Sequence, residues 1–221
     1  MKKLTALLLA LLLVIGFGPL AGYAEEADQA LLFQSGETLE RFTVLFANSS
    51  IPAGERWVVP ERGALEIREG VTLTVYGHLE VKGELKVNGT LIILGWGEGQ
   101  SRQRGSVSVV GSLVNSGEIR VTGGSLTNYP GALLENKGTL LLSGGREGET
   151  LLLNMTRQRT DRLLVGEIIN SGELLLEAGG AAILNTTGAV IRNDGKVKMA
   201  EGAVFRGKME GNPAERWNGQ S

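Results

Sequence analysis

The stretch "VNSGEIRV", Val114 to Val121, returns as "INSGELLL", Ile169 to Leu176, 55 positions later. The copy extends well beyond this motif. At the same shift "SRQRGSVSVVGSLVNSGEIRV", from Ser101, lies on "TRQRTDRLLVGEIINSGELLL", from Thr156. Gly111, Gly117 and Asn115 meet Gly166, Gly172 and Asn170, while Val109, Leu113 and Ile119 meet Leu164, Ile168 and Leu174. A shift of 57 lays "LTNYPGALLENKGTLLL", from Leu126, on "ILNTTGAVIRNDGKVKM", from Ile183. Asn128, Gly131, Asn136 and Gly138 then meet Asn185, Gly188, Asn193 and Gly195. Such internal repetition belongs to an array of stacked units, and it governs the reading of everything else.

Glycine supplies 33 of the 221 residues, about twice its usual ~7% share. It is interleaved with Leu, Val and Ile, not with Ser and Pro as in a flexible linker. Gly63, Gly70, Gly77, Gly83, Gly89 and Gly95 recur every six or seven residues. Between them the chain alternates: Leu79 and Val81 point one way, His78, Glu80 and Lys82 the other, the period of a half-buried strand. This rhythm is tighter than the spacing of sandwich or barrel strands. It predicts a chain that turns a corner every few residues and pairs each strand with its equivalents ~4.8 Å above and below.

The corners give a coil length. Asn115-x-Gly117, Asn136-x-Gly138, Asn170-x-Gly172 and Asn193-x-Gly195 are separated by 21, 34 and 23 residues. Intervals of 21 and 23 suit one turn of a three-sided solenoid, and 34 suits one turn plus an insertion within Gly144–Thr160, whose duplicated counterpart is Gly89–Gly105. Division of the 55-residue repeat into three shorter coils is the rival count. Asn tolerates left-handed backbone and Gly supplies positive φ, which explains the corner residues. Stacked Asn side chains can also hydrogen-bond as a ladder. Left-handed hexapeptide helices place an aliphatic residue before the glycine, where this chain has Tyr76, Lys82, Asn88 and Ser116. The expected fold is therefore all-β, a single right-handed parallel β-helix, with Leu113, Ile119, Leu140, Ile168, Leu174 and Val197 stacked inside.

The chain opens "MKKLTALLLALLLVIGFGPLAGYAEEA". Lys2 and Lys3, the apolar run Leu4 to Phe17, and Gly22-Tyr23-Ala24 follow the three-part plan of a secretory signal peptide. Gly16, Gly18 and Pro19 interrupt the run before it reaches the ~20 residues of a membrane span. The expected organisation is a signal peptide at 1–24, an N-terminal cap at 25–62 with strands near Phe42–Phe46 and Arg56–Val59, a β-helix at 63–202 containing the duplicated segments 83–137 and 138–195, and a C-terminal cap and polar tail at 203–221. Caps are expected because open solenoid ends template polymerisation. Cysteine is absent, so no disulfide staples the fold. Without Lys2 and Lys3 the formal charge falls from −2 to −4, which argues against nucleic acid or an anionic membrane as the main partner. Cleavage after Ala24 would leave no stable membrane insertion.

A parallel β-helix raises the prospect of polysaccharide lyase or hydrolase chemistry, which needs clustered carboxylates. Asp28, Asp161 and Asp194 are far apart, and Glu80, Glu84, Glu118 and Glu173 occupy outward positions where solvation accounts for them. The only histidine, His78, stands on the polar side of a strand. Thr72-x-Thr74 has the spacing of an ice-binding row but does not recur coil after coil. Phosphate-loop and calcium-repeat signatures are missing. No catalytic residue, metal ligand or cofactor is expected. The candidate contacts are Arg102-Gln103-Arg104 and Arg157-Gln158-Arg159, with Trp96 beside the first. As equivalent loops two tiers apart, ~10 Å from each other, they would engage carboxylates or sulfates of an acidic glycan while Trp96 stacks on a sugar. The competing account pairs these arginines with Glu98, Glu147 or Glu149. Asn88-Gly-Thr90, Asn154-Met-Thr156 and Asn185-Thr-Thr187 match the glycosylation sequon, a match expected by chance in such corners.

The stretch "IPAGERWVVPERGALEIREGVTLTVYGHLEVKGELKVNGTL", Ile51 to Leu91, with the Asn-x-Gly corners after it, resembles the β-solenoid regions of exported bacterial surface proteins. The pectate-lyase-like superfamily shares that architecture, and the six-residue rhythm is also similar to bactofilins, cytoskeletal β-helix polymers that work from the cytoplasmic side. The resemblance implies architecture and setting, and transfers no functional residue. The expectation is an exported, non-catalytic solenoid, a structural or binding module of the bacterial cell surface or extracellular space. Its expected partner is cell-wall or extracellular polysaccharide, or another surface protein. The competing expectation is a carbohydrate-active enzyme, a lyase or hydrolase with an atypical site.

Overall fold

The computed structural model describes residues 42–95, 104–145, 149–178 and 180–217. The expected signal peptide at 1–24 and the first part of the N-terminal cap lie outside the described residues. Among the described residues there is no helix, and the strands are two to five residues long. All but two of them form three sheets in which every pairing is parallel. The first sheet stacks Phe42–Leu45, Ala64–Ile67, Glu84–Val87, Ser112–Asn115, Leu133–Asn136, Glu167–Asn170, Val190–Asn193 and Glu210–Gly211. The second stacks Ser49–Ile51, Thr72–Val75, Thr90–Leu94, Glu118–Thr122, Thr139–Ser143, Glu173–Leu176, Lys196–Ala200 and Glu215–Trp217. The third stacks Arg56–Val59, His78–Val81, Ser106–Val109, Ser125–Asn128, Leu152–Asn154, Ala182–Asn185 and Val204–Arg206. The chain visits the sheets in turn before returning to the first, so each circuit is one coil of a three-sided parallel β-solenoid.

Alternation along each strand sends every second side chain inward, and coil-on-coil register stacks those residues into rows. Leu65, Leu85, Leu113, Leu134, Ile168 and Ile191 form one row, each no more than 1% exposed. Leu73, Leu91, Ile119, Leu140, Leu174 and Val197 form a second. Trp57, Leu79, Val107, Leu126, Leu152 and Ile183 form the third. The six residues expected inside are all there. Each buried aliphatic side chain contributes about 1.5–3 kcal/mol, and no disulfide assists it.

Asn115 pairs with Asn136, and Asn136 with Asn170, so the 55-residue repeat is two coils and not three. The expected insertion is divided. Leu152–Asn154, inside Gly144–Thr160, belongs to the third sheet. The extra residues lie on either side of it: the stretch after Ser143, and an antiparallel hairpin of Thr156–Gln158 with Leu163–Val165. The segments expected as caps, 25–62 and 203–221, both contain solenoid strands. Phe42–Leu45, Ser49–Ile51 and Arg56–Val59 already pair as a coil, and Val204–Arg206, Glu210–Gly211 and Glu215–Trp217 pair as another.

The corners work differently from the expectation. Among the described residues none other than glycine has positive φ, and Gly117, Gly138, Gly172 and Gly195 do not have it either. These glycines are required by close approach: a Cβ on Gly138 would lie 2.0 Å from the Gly117 carbonyl oxygen of the coil before. Asn115, Asn136, Asn170 and Asn193 end strands and point inward, no more than 1% exposed. They form the expected ladder, with Nδ2-to-Oδ1 distances of 2.7, 2.6 and 2.6 Å. A second ladder, which the corner spacing did not disclose, runs through Asn128, Asn154 and Asn185 on the third sheet at 2.9 Å per step. The pairing of Asn128 with Asn185 at the shift of 57 was its trace in the sequence.

Candidate functional site

The paired-arginine expectation separates into two unlike parts. Arg104 precedes Ser106–Val109, where the chain passes from the second sheet to the third. Arg157 and Arg159 lie on the hairpin, where it passes from the third sheet to the first. The two segments therefore occupy different corners and are not equivalent loops. The duplication misleads here because its matching strands begin only at Ser112 and Glu167; the preceding segments share letters, not structure. Arg102, Gln103 and Trp96 lie outside the described residues.

Arg104 is built into the wall. Its side chain is 23% exposed, its Nε and Nη2 donate to the carbonyls of Gly123 and Gly124, and Glu149 lies 3.9 Å away. It ties its own coil to the one after. The hairpin arginines stand apart from the wall: Arg157, Gln158, Arg159, Thr160, Asp161 and Arg162 are all exposed. Arg162 joins the candidate set although the duplication did not mark it. The Arg159 N–H donates to the Arg162 carbonyl at 2.8 Å, which places the two arginines opposite each other at the closing pair of the hairpin.

The remaining polar residues fall into bland arrangements. The four outward glutamates are ion-paired: Glu80 with Arg56 and Lys82, Glu84 with Lys86, Glu118 with Arg120, and Glu173 with Lys196 and Lys198. Among the described residues no cluster of His, Asp and Glu has the arrangement of a metal site. Asn154 and Asn185, of the sequon matches, are enclosed in a ladder, whereas Asn88 is exposed. His78 is half-buried on the outer face of the third sheet, its Nδ1 2.8 Å from Ser106 Oγ. Burial pushes its pKa below the ordinary value, with Arg56 acting in the same direction. Two open grooves of about 560 and 640 Å³ flank the corner at Glu61 and Arg62, and Lys82 lines both.

These features define a three-sided parallel β-solenoid with a basic hairpin added at one corner. No protein family, curated protein or solved structure matches this chain.

Proposed function

We propose that the protein is exported and serves, without catalysis, as a rigid structural or binding module at the bacterial cell surface or in the extracellular space. The observation that carries this reading is the unbroken coil-on-coil pairing from Phe42 to Trp217, a persistent scaffold with outward faces of short, ion-paired strands. The charged, apolar and small-residue plan of residues 1–24 supports export. Cell-wall or extracellular polysaccharide, or another surface protein, is the partner this setting supplies. Fractionation of the producing cell tests the reading. The protein should appear outside the cytoplasm with Glu25 as its first residue, and intact chain confined to the cytoplasm would overturn it.

A second reading, a carbohydrate-active enzyme, is favoured by one observation. The His78–Ser106 pair joins a base whose pKa is lowered by burial to a hydroxyl within hydrogen-bond reach. Among the described residues the ring's hydrogen-bond contacts are all with Ser106, so a third group that would orient a catalytic base is not in place. Turnover of an acidic or neutral polysaccharide that disappears in Ser106→Ala would establish this alternative.

A further inference from the structure

We propose that the hairpin from Thr156 to Val165 is an anion-binding arm whose Arg157, Arg159 and Arg162 grip the carboxylates of an acidic polysaccharide. The proposal rests on the reading of the protein as an exported binding module and names its partner.

The hairpin is not needed to build the solenoid. The same corner is turned by Val110-Gly111 in one coil, Tyr129 to Ala132 in the next, and Thr186 to Ala189 beyond the hairpin. The arm is nonetheless firmly rooted. The Thr156 N–H donates to Thr186 Oγ1 at 3.0 Å, and Thr156 Oγ1 donates to the Thr187 carbonyl at 2.9 Å. At the other root the Gly131 N–H donates to the Val165 carbonyl at 3.0 Å and the Gly166 N–H to the Met155 carbonyl at 2.8 Å. Leu163 leans toward Gly188, so the face shared by Thr156, Gln158 and Leu163 is turned to the body. By alternation Arg157 points away from it.

The charges at the end of this arm oppose its own stability. Arg159 and Arg162 face each other across the hairpin, and like charges directly opposite are destabilising. Asp161 is the one acid in the segment. Arg56, Arg104, Arg120 and Arg192 each lie beside a glutamate, whereas Arg157, Arg159 and Arg162 form no ion pair among the described residues. An external anion would supply the missing counter-charge. The guanidinium fork matches a carboxylate bidentately. One exposed contact of this kind contributes ~1 kcal/mol or less, so an arm carrying three suits a polymer that presents carboxylates repeatedly. From Gln158 to Arg162 the tip has no apolar side chain to enter a lipid surface.

The test measures binding of the purified full chain, as its host produces it, to polygalacturonate, neutral dextran and anionic phosphatidylglycerol vesicles. Wild type should bind polygalacturonate alone, and more weakly as salt rises. The triple variant Arg157→Gln, Arg159→Gln, Arg162→Gln should lose about tenfold in affinity. The charge-matched control Arg62→Gln, Arg206→Gln, Arg216→Gln should stay within about twofold, and circular dichroism should show all three proteins folded alike. No wild-type binding, equal losses in the two variants, or preference for vesicles or dextran would each overturn the proposal. Cytoplasmic retention overturns the export reading without touching these affinities, so the two failures are distinguishable.

Discussion

Asn115 donates its side-chain amide to Asn136 at 2.7 Å, while its own Oδ1 receives no hydrogen bond. The coil before carries Val87 in that register position, and the coil after carries an asparagine. The ladder therefore has a direction. Each Nδ2 points toward the C-terminal coil, and the last, on Asn193, reaches the Asn212 carbonyl at 2.8 Å. The cost of an unpaired acceptor is confined to the ladder's first member.

This polarity predicts unequal effects from the same substitution. Asn115→Val extends the aliphatic row by one coil and transfers the unpaired oxygen to Asn136, so stability should change by less than about 1 kcal/mol. Asn136→Val leaves Asn170 Oδ1 without a donor and removes an acceptor from Asn115. That should cost about 2–4 kcal/mol. Urea unfolding of both variants checks the ordering, and equal losses would mean the ladder has no preferred end.

The two kinds of corner glycine should also separate. Gly131 has φ +90° with open space where a Cβ would stand, so Gly131→Ala should cost about 1–2 kcal/mol of backbone strain. Gly138→Ala must push apart two coils, because its Cβ would sit 2.0 Å from the Gly117 carbonyl oxygen. A loss above about 3 kcal/mol is expected. Thermal melts that rank the two the other way would refute the close-approach account.

Arg104 and the hairpin arginines should part company in stability. Arg104→Ala removes charged donors from the Gly123 and Gly124 carbonyls, for an expected loss of about 1.5–3 kcal/mol. Arg157→Ala and Arg159→Ala remove exposed side chains and should stay within about 0.5 kcal/mol. Comparable losses at all three would mean that the hairpin is part of the wall.

His78 provides a pH-dependent readout. Burial, and then Arg56, lower its pKa below the ordinary 6.5, against weaker opposition from Glu80 and Ser106. The unfolded chain then binds the proton more readily, so stability should be fully retained above 6.5 and fall on acidification from there through the lowered value. As the only histidine, it gives one imidazole C2–H resonance to follow by NMR. Its midpoint should lie below 6.5, and a midpoint above that value would show that Glu80 and Ser106 outweigh burial.

Local pattern carried much of the architecture. Alternation in segments such as "GHLEVK" marked the inward residues, and the Asn-x-Gly intervals marked coil length, because in a solenoid each strand meets an equivalent strand one turn away. The positions of Leu113, Ile119, Leu174 and the first Asn ladder followed from that regularity. Where the repeat is interrupted, sequence similarity lost its meaning. "SRQR" and "TRQR" align letter for letter after the first residue, yet one leads into a ladder strand and the other forms half of a hairpin.

By itself the sequence determined the strand period, the core rows and the Asn-x-Gly corners, since each depends on residues near in the chain and on their recurrence. Only the tertiary structure decided that Arg104 is wall and Arg159 is surface, and that a corner glycine is demanded by the carbonyl of another coil. It also revealed that Asn154 lies inside a second ladder and that Arg162 opposes Arg159. The physical reason is that these roles are set by what a neighbouring coil, or the other side of a hairpin, places against the residue. That neighbour exists only once the chain has wound past it.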